Sequence, residues 1–132
     1  MAAELNKEIL IEEDLRERLL SGNDFIISKE HFIESKRRVF EDPRFSFPGG
    51  ESSEQAQARS IKVLSKIMDK FTGKRIVVGT HGDIMTLMMN YFDTRYNFDF
   101  WRSTTMPDIY KLELEGKNLM NVMRLWNFDC CK

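Results

Sequence analysis

The sequence predicts an α/β fold on the strength of three observations. Residues 75–80, "RIVVGT", form a short continuous apolar run, which is typical of a strand covered on both faces. Helical patterns flank this run, over 52–71 and 83–92. The segment 109–128 has partly alternating polarity and a turn around 116–118, which predicts a hairpin near a sheet edge. Helix, strand, helix and two strands form an α/β order.

The first part of the chain predicts short elements separated by turns. Residues 15–20 fit a helical period, whereas 9–11 fit either a strand or an extended approach. The residues "SGND" at 21–24 have turn chemistry. Residues 29–42 predict a charged amphipathic helix that Pro43 ends, and a loop with a Pro-Gly-Gly turn follows.

The two central helices have clear sequence signals. Ser52 stands three residues before Gln55, which is the spacing of a capping box, and Gly73 lies just past the predicted end of that helix. The pattern over 83–92 is apolar almost all round, so this helix is predicted to be buried. Residues 93–107 are irregular and aromatic.

Length and composition predict one domain over 1–132. The chain is 42% hydrophobic and 31% charged, and its net charge of −1 argues against nucleic-acid binding. No apolar run reaches the length of a membrane span, and the acidic N-terminus has no secretory signal, so a cytoplasmic protein is predicted. Cys130 and Cys131 are adjacent near the end, where they would staple nothing, and no metal-ligand spacing surrounds them.

His81 is the first candidate functional residue, because it stands where the predicted strand ends and the buried helix begins. Ligands of open α/β sheets bind at the carboxyl ends of strands. The free N–H groups and positive dipole end of the following helix would attract an anion, and Gly82 would let the backbone approach it closely. A phosphate is therefore the predicted ligand. The alternative is a histidine that caps the helix or is held by a neighbour.

Four segments in order resemble the histidine phosphatase superfamily, which includes the cofactor-dependent phosphoglycerate mutases. "VVGTHGDIMTLMM" resembles the second-histidine motif, and "PGGESSEQAQARSIKVLSKI", with its Arg59, resembles the preceding helix. "LRER" at 15–18 resembles the segment of the acidic proton donor, and "MPDIYKLELEG" resembles the following strand. The resemblance runs from about Leu15 to Leu125. It implies a truncated phosphoglycerate mutase-like three-layer sandwich with a mostly parallel sheet and a C-terminal hairpin.

The resemblance also implies a reaction, phosphoryl transfer through a phosphohistidine on a phosphorylated small molecule. His81 would be the second histidine, which stabilises phosphate charge, and Gly82 would donate a backbone N–H to the phosphate. Glu17 would be the carboxylic acid that protonates the leaving oxygen. Its alternative is an ordinary solvated acid. The family mechanism needs no metal or cofactor.

One part of the family pattern does not occur in the sequence. The family's nucleophile lies in an Arg-His-Gly motif at the end of the first strand, and these 132 residues contain no Arg-His-Gly. The other histidine, His31, is predicted to lie in mid-helix as a solvated or packing residue. We therefore expect a family member without its N-terminal strand-helix unit, and no turnover from this chain alone.

The missing N-terminal strand also predicts that the chain associates with a second copy of itself. In the family, the nucleophile strand lies beside the strand that corresponds to 75–80, so this strand would be left with an open apolar edge. Open edges pair with other chains, and a homodimer or swapped assembly is expected to cover this one.

Three functional interpretations stay open on the sequence: part of an active enzyme, a pseudoenzyme that binds a phosphorylated molecule or a partner, or a protein whose fold alone is kept. The basic residues Lys36, Arg37, Arg38 and Arg44 would either meet a phosphate or form a plain solvated helix face.

Overall fold

The computed structural model describes residues 4–126, and these combine helices with one small antiparallel sheet. The elements are α1 (Phe32–Glu41), α2 (Ser53–Lys70), α3 (Gly82–Phe92), α4 (Phe98–Ser103), β1 (Tyr110–Glu115) and β2 (Asn118–Arg124). Short 3-10 turns at Glu13–Leu15 and Lys29–His31 precede α1. The α/β class and the C-terminal hairpin are thus as predicted.

The core lies where α2 packs against α3. The capping box forms as predicted: the Ser52 hydroxyl accepts the N–H of Gln55, and the Gln55 side chain accepts the N–H of Ser52. This start aligns Ala56 with Ile84 and Leu87 in the buried cluster. The buried side of α2 consists of small residues, so the bulky apolar α3 approaches it closely.

An aromatic group joins α1 to α4. Phe40 of α1 lies with its ring centroid 6.4 Å from that of Phe98 and 6.0 Å from that of Trp101. Phe98 and Trp101 are themselves 5.7 Å apart. These rings hold α1 beside the N-terminus of α3, since the backbone of Gly82 lies close to Trp101.

The C-terminal hairpin pairs β1 with β2 in antiparallel register, with Leu112 opposite Val122. Alternate residues of β1 are partly buried, as the sequence pattern indicates. Arg124 donates to both carboxylate oxygens of Asp108, at 3.0 and 2.9 Å, which ties the end of β2 to the start of β1.

Three local predictions differ from the structure. Residues 16–20 are not helical, because the backbone of 19–22 instead bonds the Pro-Gly-Gly turn, as in the Glu51 N–H to Leu19 carbonyl bond of 2.8 Å. His31 lies at the start of α1 rather than in mid-helix, because α1 begins only at Phe32. Residues 93–107 are not irregular throughout, because they contain α4, which Asn97 caps.

The segment 75–80 has no strand partner among residues 4–126, where the single sheet is the two-stranded hairpin. A strand needs a hydrogen-bonded neighbour, and these described residues supply none beside it. Ile76 and Val77 are consequently 40% and 80% exposed, although their sequence pattern is that of a buried strand. The mostly parallel sheet and the three layers are therefore not formed within 4–126 and stay predictions.

Two further sequence predictions concern the terminal cysteines and the membrane. Cys130 and Cys131 lie outside the described residues. Within 4–126, every helix is too short or too polar to cross a lipid bilayer.

Candidate active site

Glu17 follows the 3-10 turn Glu13–Leu15, after the extended residue Arg16 and outside any helix or strand. Its side chain is partly buried, and its Oε1 accepts the N–H of Arg18 at 3.0 Å. Glu13 and Asp14 are exposed, so Glu17 differs from both of these neighbours in its environment.

The surroundings of Glu17 favour its protonated form. Burial raises the pKa of the Glu17 carboxyl above the ordinary 4.5, and the nearby Asp83 carboxylate raises this pKa further. The Arg18 N–H bond and the charges of Lys36 and His81 lower the pKa of Glu17, but by less. A carboxyl whose pKa is raised in this way holds its proton longer as pH rises, which suits a general acid.

His81 and Gly82 lie at the N-terminus of α3. His81 is exposed, and its side chain does not cap the helix, which excludes the capping alternative. Its carbonyl accepts the N–H of Met85 at 2.8 Å. A Cβ on Gly82 would lie 3.5 Å from Nε1 of Trp101, an ordinary contact distance, so neighbouring side chains alone do not require glycine there. Arg18, the residue after Glu17, and Asp83, two residues after His81, form an ion pair of 2.7 Å, which brings the segment of Glu17 to the N-terminus of α3.

A charged cluster that the sequence analysis did not predict lies at the first turn of α3, and two of its members are close in sequence to Glu17 and His81. Asp83, on the first turn of α3, accepts from Nε of Arg18 at 2.7 Å and from Nζ of Lys36 at 2.5 Å on the same Oδ2. Arg18 also donates from Nη1 to Oγ of Ser53 at 2.8 Å. We call Arg18, Lys36 and Asp83 the charged cluster; all three are buried.

A sequence signal for the charged cluster existed. Asp83 is the only charged residue in a helix that is apolar almost all round, and a carboxylate buried with that helix requires a cation. Arg18 and Lys36 could not be chosen as that cation from the sequence, since they lie 65 and 47 residues away.

Arg59 holds the segment that leads into Glu17. Its guanidinium donates to both oxygens of Glu51, at 2.8 and 2.9 Å, and to the carbonyls of Asp14 and Arg16, at 2.6 and 3.0 Å. The hydroxyl of Thr80 donates to the carbonyl of Leu15 at 2.8 Å. The backbone of 14–16 is thereby fixed from two sides.

A cleft of about 420 Å³ opens beside Glu17. Its lining residues are Arg16, Glu17, Leu19, Gly49, Gly50, Glu51 and Gln55. The Pro-Gly-Gly turn forms one wall of the cleft. It lies so close to the backbone of Leu20 that a Cβ on Gly50 would lie 2.2 Å from the Leu20 carbonyl oxygen, so only glycine fits there. His81 is not among the residues that line this cleft.

The four basic residues of 36–44 do not act as one face. Lys36 is buried in the charged cluster, so the interpretation of a wholly solvated face is wrong for it. Arg37 pairs with Glu34 at 2.9 Å, and Arg38 lies 3.8 Å from the ring centroid of Phe45. Arg44 is exposed.

Neither His31 nor any cluster of acidic, histidine or cysteine side chains in the described residues forms a metal site. His31 is exposed, and its Nδ1 is 2.7 Å from Oγ of Ser28. Among the residues that the structure describes, no three His, Cys, Asp or Glu side chains come together as metal ligands would.

Comparison with known proteins identifies the family. The model of the family "Histidine phosphatase superfamily (branch 1)" matches residues 1–129. "Phosphoglycerate mutase-like protein 4" of Arabidopsis thaliana is 31% identical over 135 residues, which covers 98% of this chain and 53% of the relative. The chain thus spans about half the length of this curated relative. No solved structure gives a significant match.

Proposed function

The chain belongs to the histidine phosphatase superfamily, and on that premise we propose that it carries the acid and phosphate-binding half of a site for phosphoryl chemistry on a phosphorylated small molecule. The observation that carries the proposal is the position of Glu17 and His81, whose neighbours Arg18 and Asp83 join in a 2.7 Å ion pair at the N-terminus of α3.

Each residue of this half-site has one role. His81 and the free N–H groups at the start of α3, including that of Gly82, would hold the phosphoryl oxygens. Glu17 would protonate the leaving oxygen of the phosphate ester, and burial raises the pKa of its carboxyl, which favours that role. The cleft beside Glu17 would receive the leaving alcohol, because the proton must be delivered at that oxygen.

We assign no residue of this chain as the nucleophile of the phosphoryl-transfer site. The sequence contains no Arg-His-Gly, and the exposed His31 lies at the start of α1, away from any strand. Without a nucleophile held in line with the leaving oxygen, positioning and electrostatics alone do not break the phosphate ester. We therefore expect no turnover from this chain by itself.

The sheet would be completed by a second polypeptide. Residues 75–80 keep the composition of a buried parallel strand while Val77 is 80% exposed. A second copy of the chain that pairs with this segment would bury it and supply a neighbouring strand of the parallel sheet that the resemblance implies. A homodimer or swapped assembly is the proposed form.

Two assays on one sample test the function. Hydrolysis of p-nitrophenyl phosphate should be absent, while inorganic phosphate should shift the backbone amide signals at the start of α3 in an NMR titration. His81→Ala should abolish the binding of phosphate, and the matched variant His31→Ala should leave it unchanged, since the exposed His31 ring is hydrogen-bonded to Ser28 and is not part of the proposed half-site. Hydrolysis that His81→Ala abolishes would overturn the inactivity of the chain.

A second candidate is a protein-interaction module that keeps the fold without a phosphate site. The exposed apolar residues around 75–80 favour it, since a large exposed patch often marks an interface. Phosphate that binds neither the wild-type chain nor any variant, together with an ordered assembly, would favour this candidate over the first.

A further inference from the structure

The charged cluster joins three separate segments of the chain at one carboxylate. Arg18 comes from the segment of Glu17, Lys36 comes from α1, and Asp83 comes from the first turn of α3, two residues after His81. The side chains of Arg18 and Asp83 are 0% and 1% exposed, so solvent does not screen their attraction. The cluster therefore fixes the chain on both sides of the candidate site.

Aromatic rings hold the two cations of the cluster in place. The guanidinium of Arg18 lies 4.9 Å from the ring centroid of Phe40. The ammonium of Lys36 lies 5.5 Å from the centroid of Phe32 and 5.4 Å from that of Trp101. These cation–π contacts add to the attraction of Asp83 for the two cations.

We propose that Arg18, Lys36 and Asp83 are positioning residues, which hold Glu17 against the N-terminus of α3 and set the electrostatic field that its carboxyl experiences. Arg18 acts through the backbone, because its own N–H binds Oε1 of Glu17 while its side chain binds Asp83. Lys36 and Asp83 act through their charges. The proposal rests on the proposed function in taking Glu17 as the acid.

The charged groups around Glu17 shift the pKa of its carboxyl in opposite directions. Asp83, from α3, raises the pKa of Glu17, whereas Lys36, from α1, and His81, from the start of α3, lower this pKa. The pKa of Arg59, from α2, is raised mainly by its hydrogen bonds to Glu51, and the charge of Glu17 adds to this. Within the charged cluster, the negative charge of Asp83 and the positive charge of Lys36 therefore shift the pKa of Glu17 in opposite directions.

A titration of the Glu17 carboxyl carbon by ¹³C NMR, in buffer without phosphate, tests the proposal. Lys36→Met keeps most of the side-chain volume but removes the positive charge, so the pKa of Glu17 should rise. Asp83→Asn keeps the shape and one acceptor but removes the negative charge, so the pKa of Glu17 should fall. Lys111→Met, an exposed lysine of β1 paired with Glu113, is the matched control and should leave the Glu17 titration unchanged.

Opposite shifts from the two variants support the proposal, because a loss of structure alone would move the Glu17 carboxyl towards its unfolded value in both. No shift, or shifts of the same direction in folded variants, would overturn it. If one variant fails to fold, the sign of the shift in the other decides the question.

Phosphate binding separates this proposal from the proposed function. Inorganic phosphate is titrated separately into wild-type chain and His81→Ala. Opposite shifts of Glu17 without any phosphate binding would support the charged cluster and overturn the phosphate site. Phosphate binding that His81→Ala abolishes, with no response of Glu17 to the cluster variants, would overturn the cluster proposal alone.

Discussion

At the scale of single residues, Arg59 connects the helix α2 to the backbone that carries Glu17. Its two-point pair with Glu51 and its bonds to the Asp14 and Arg16 carbonyls need the planar fork of a guanidinium. Lysine keeps the charge but cannot reproduce that fork. Arg59→Lys should therefore lower the free energy of unfolding by about 1–3 kcal/mol, measured by urea denaturation.

The chain offers a matched control for this substitution. Arg95 makes a comparable two-point pair with Asp93, but its side chain is 85% exposed. Exposed ion pairs contribute little to stability, so Arg95→Lys should leave the urea midpoint nearly unchanged. Equal effects of the two substitutions would show that the bonds of Arg59 to the 14–16 backbone carry no stability.

The raised pKa of Glu17 makes stability depend on pH. Between the ordinary value of 4.5 and the raised value, the folded chain keeps a proton that the unfolded chain has released. The contribution of Glu17 is therefore fully present below 4.5 and is lost as pH rises through the folded pKa. Glu17→Gln removes this dependence, so its stability relative to wild type should increase as pH rises from 4.5 through the raised pKa of Glu17.

Urea unfolding at each pH, by circular dichroism, measures this difference. Glu13→Gln removes a charge from an exposed neighbour and is the matched control. A stability difference between Glu17→Gln and wild type that stays constant with pH would contradict the burial of Glu17 in the folded chain.

At the scale of elements, the capping box fixes where α2 begins. The Ser52 hydroxyl accepts the Gln55 N–H, and the Gln55 side chain accepts the Ser52 N–H in return. Ser52→Ala should therefore cost about 1 kcal/mol of stability, measured by urea denaturation. Ser65→Ala, on an exposed part of the same helix, should be neutral or slightly stabilising, because alanine has the higher helix propensity. Equal losses from both would show that the cap contributes nothing.

Elements specified by neighbouring residues could be predicted, and those that depend on distant residues could not. The capping box, the apolar period of α3 and the turn of the hairpin are local, and the structure contains all three. Residues 16–20 have a helical period but are extended, because Arg18 is drawn to Asp83 and Leu19 to Glu51. For the same reason the sequence indicated Glu17 and His81 through a resemblance, and Asp83 through its apolar helix, whereas the cations that pair with Asp83 could be identified only from the packed structure.

At the scale of the whole molecule, the described residues leave apolar side chains uncovered at 75–80, where Val77 is 80% exposed. Each partner in a standard interface buries roughly 800 Å². The exposed Ile76 and Val77 mark the segment where such an interface would gain most from burial.

These quantities predict a self-associating chain, and one substitution at 75–80 should separate the copies. Burial of Val77 at an interface would contribute about 1.5–3 kcal/mol, and a lysine on an open strand edge opposes pairing. Val77→Lys should therefore weaken the dimer by about tenfold or more, measured by light scattering over a concentration series. Ile26→Lys changes a residue that is 89% exposed in a loop and should leave the mass unchanged. A monomeric wild-type chain that unfolds cooperatively would contradict the proposed homodimer, because the segment 75–80 would then be stable while uncovered.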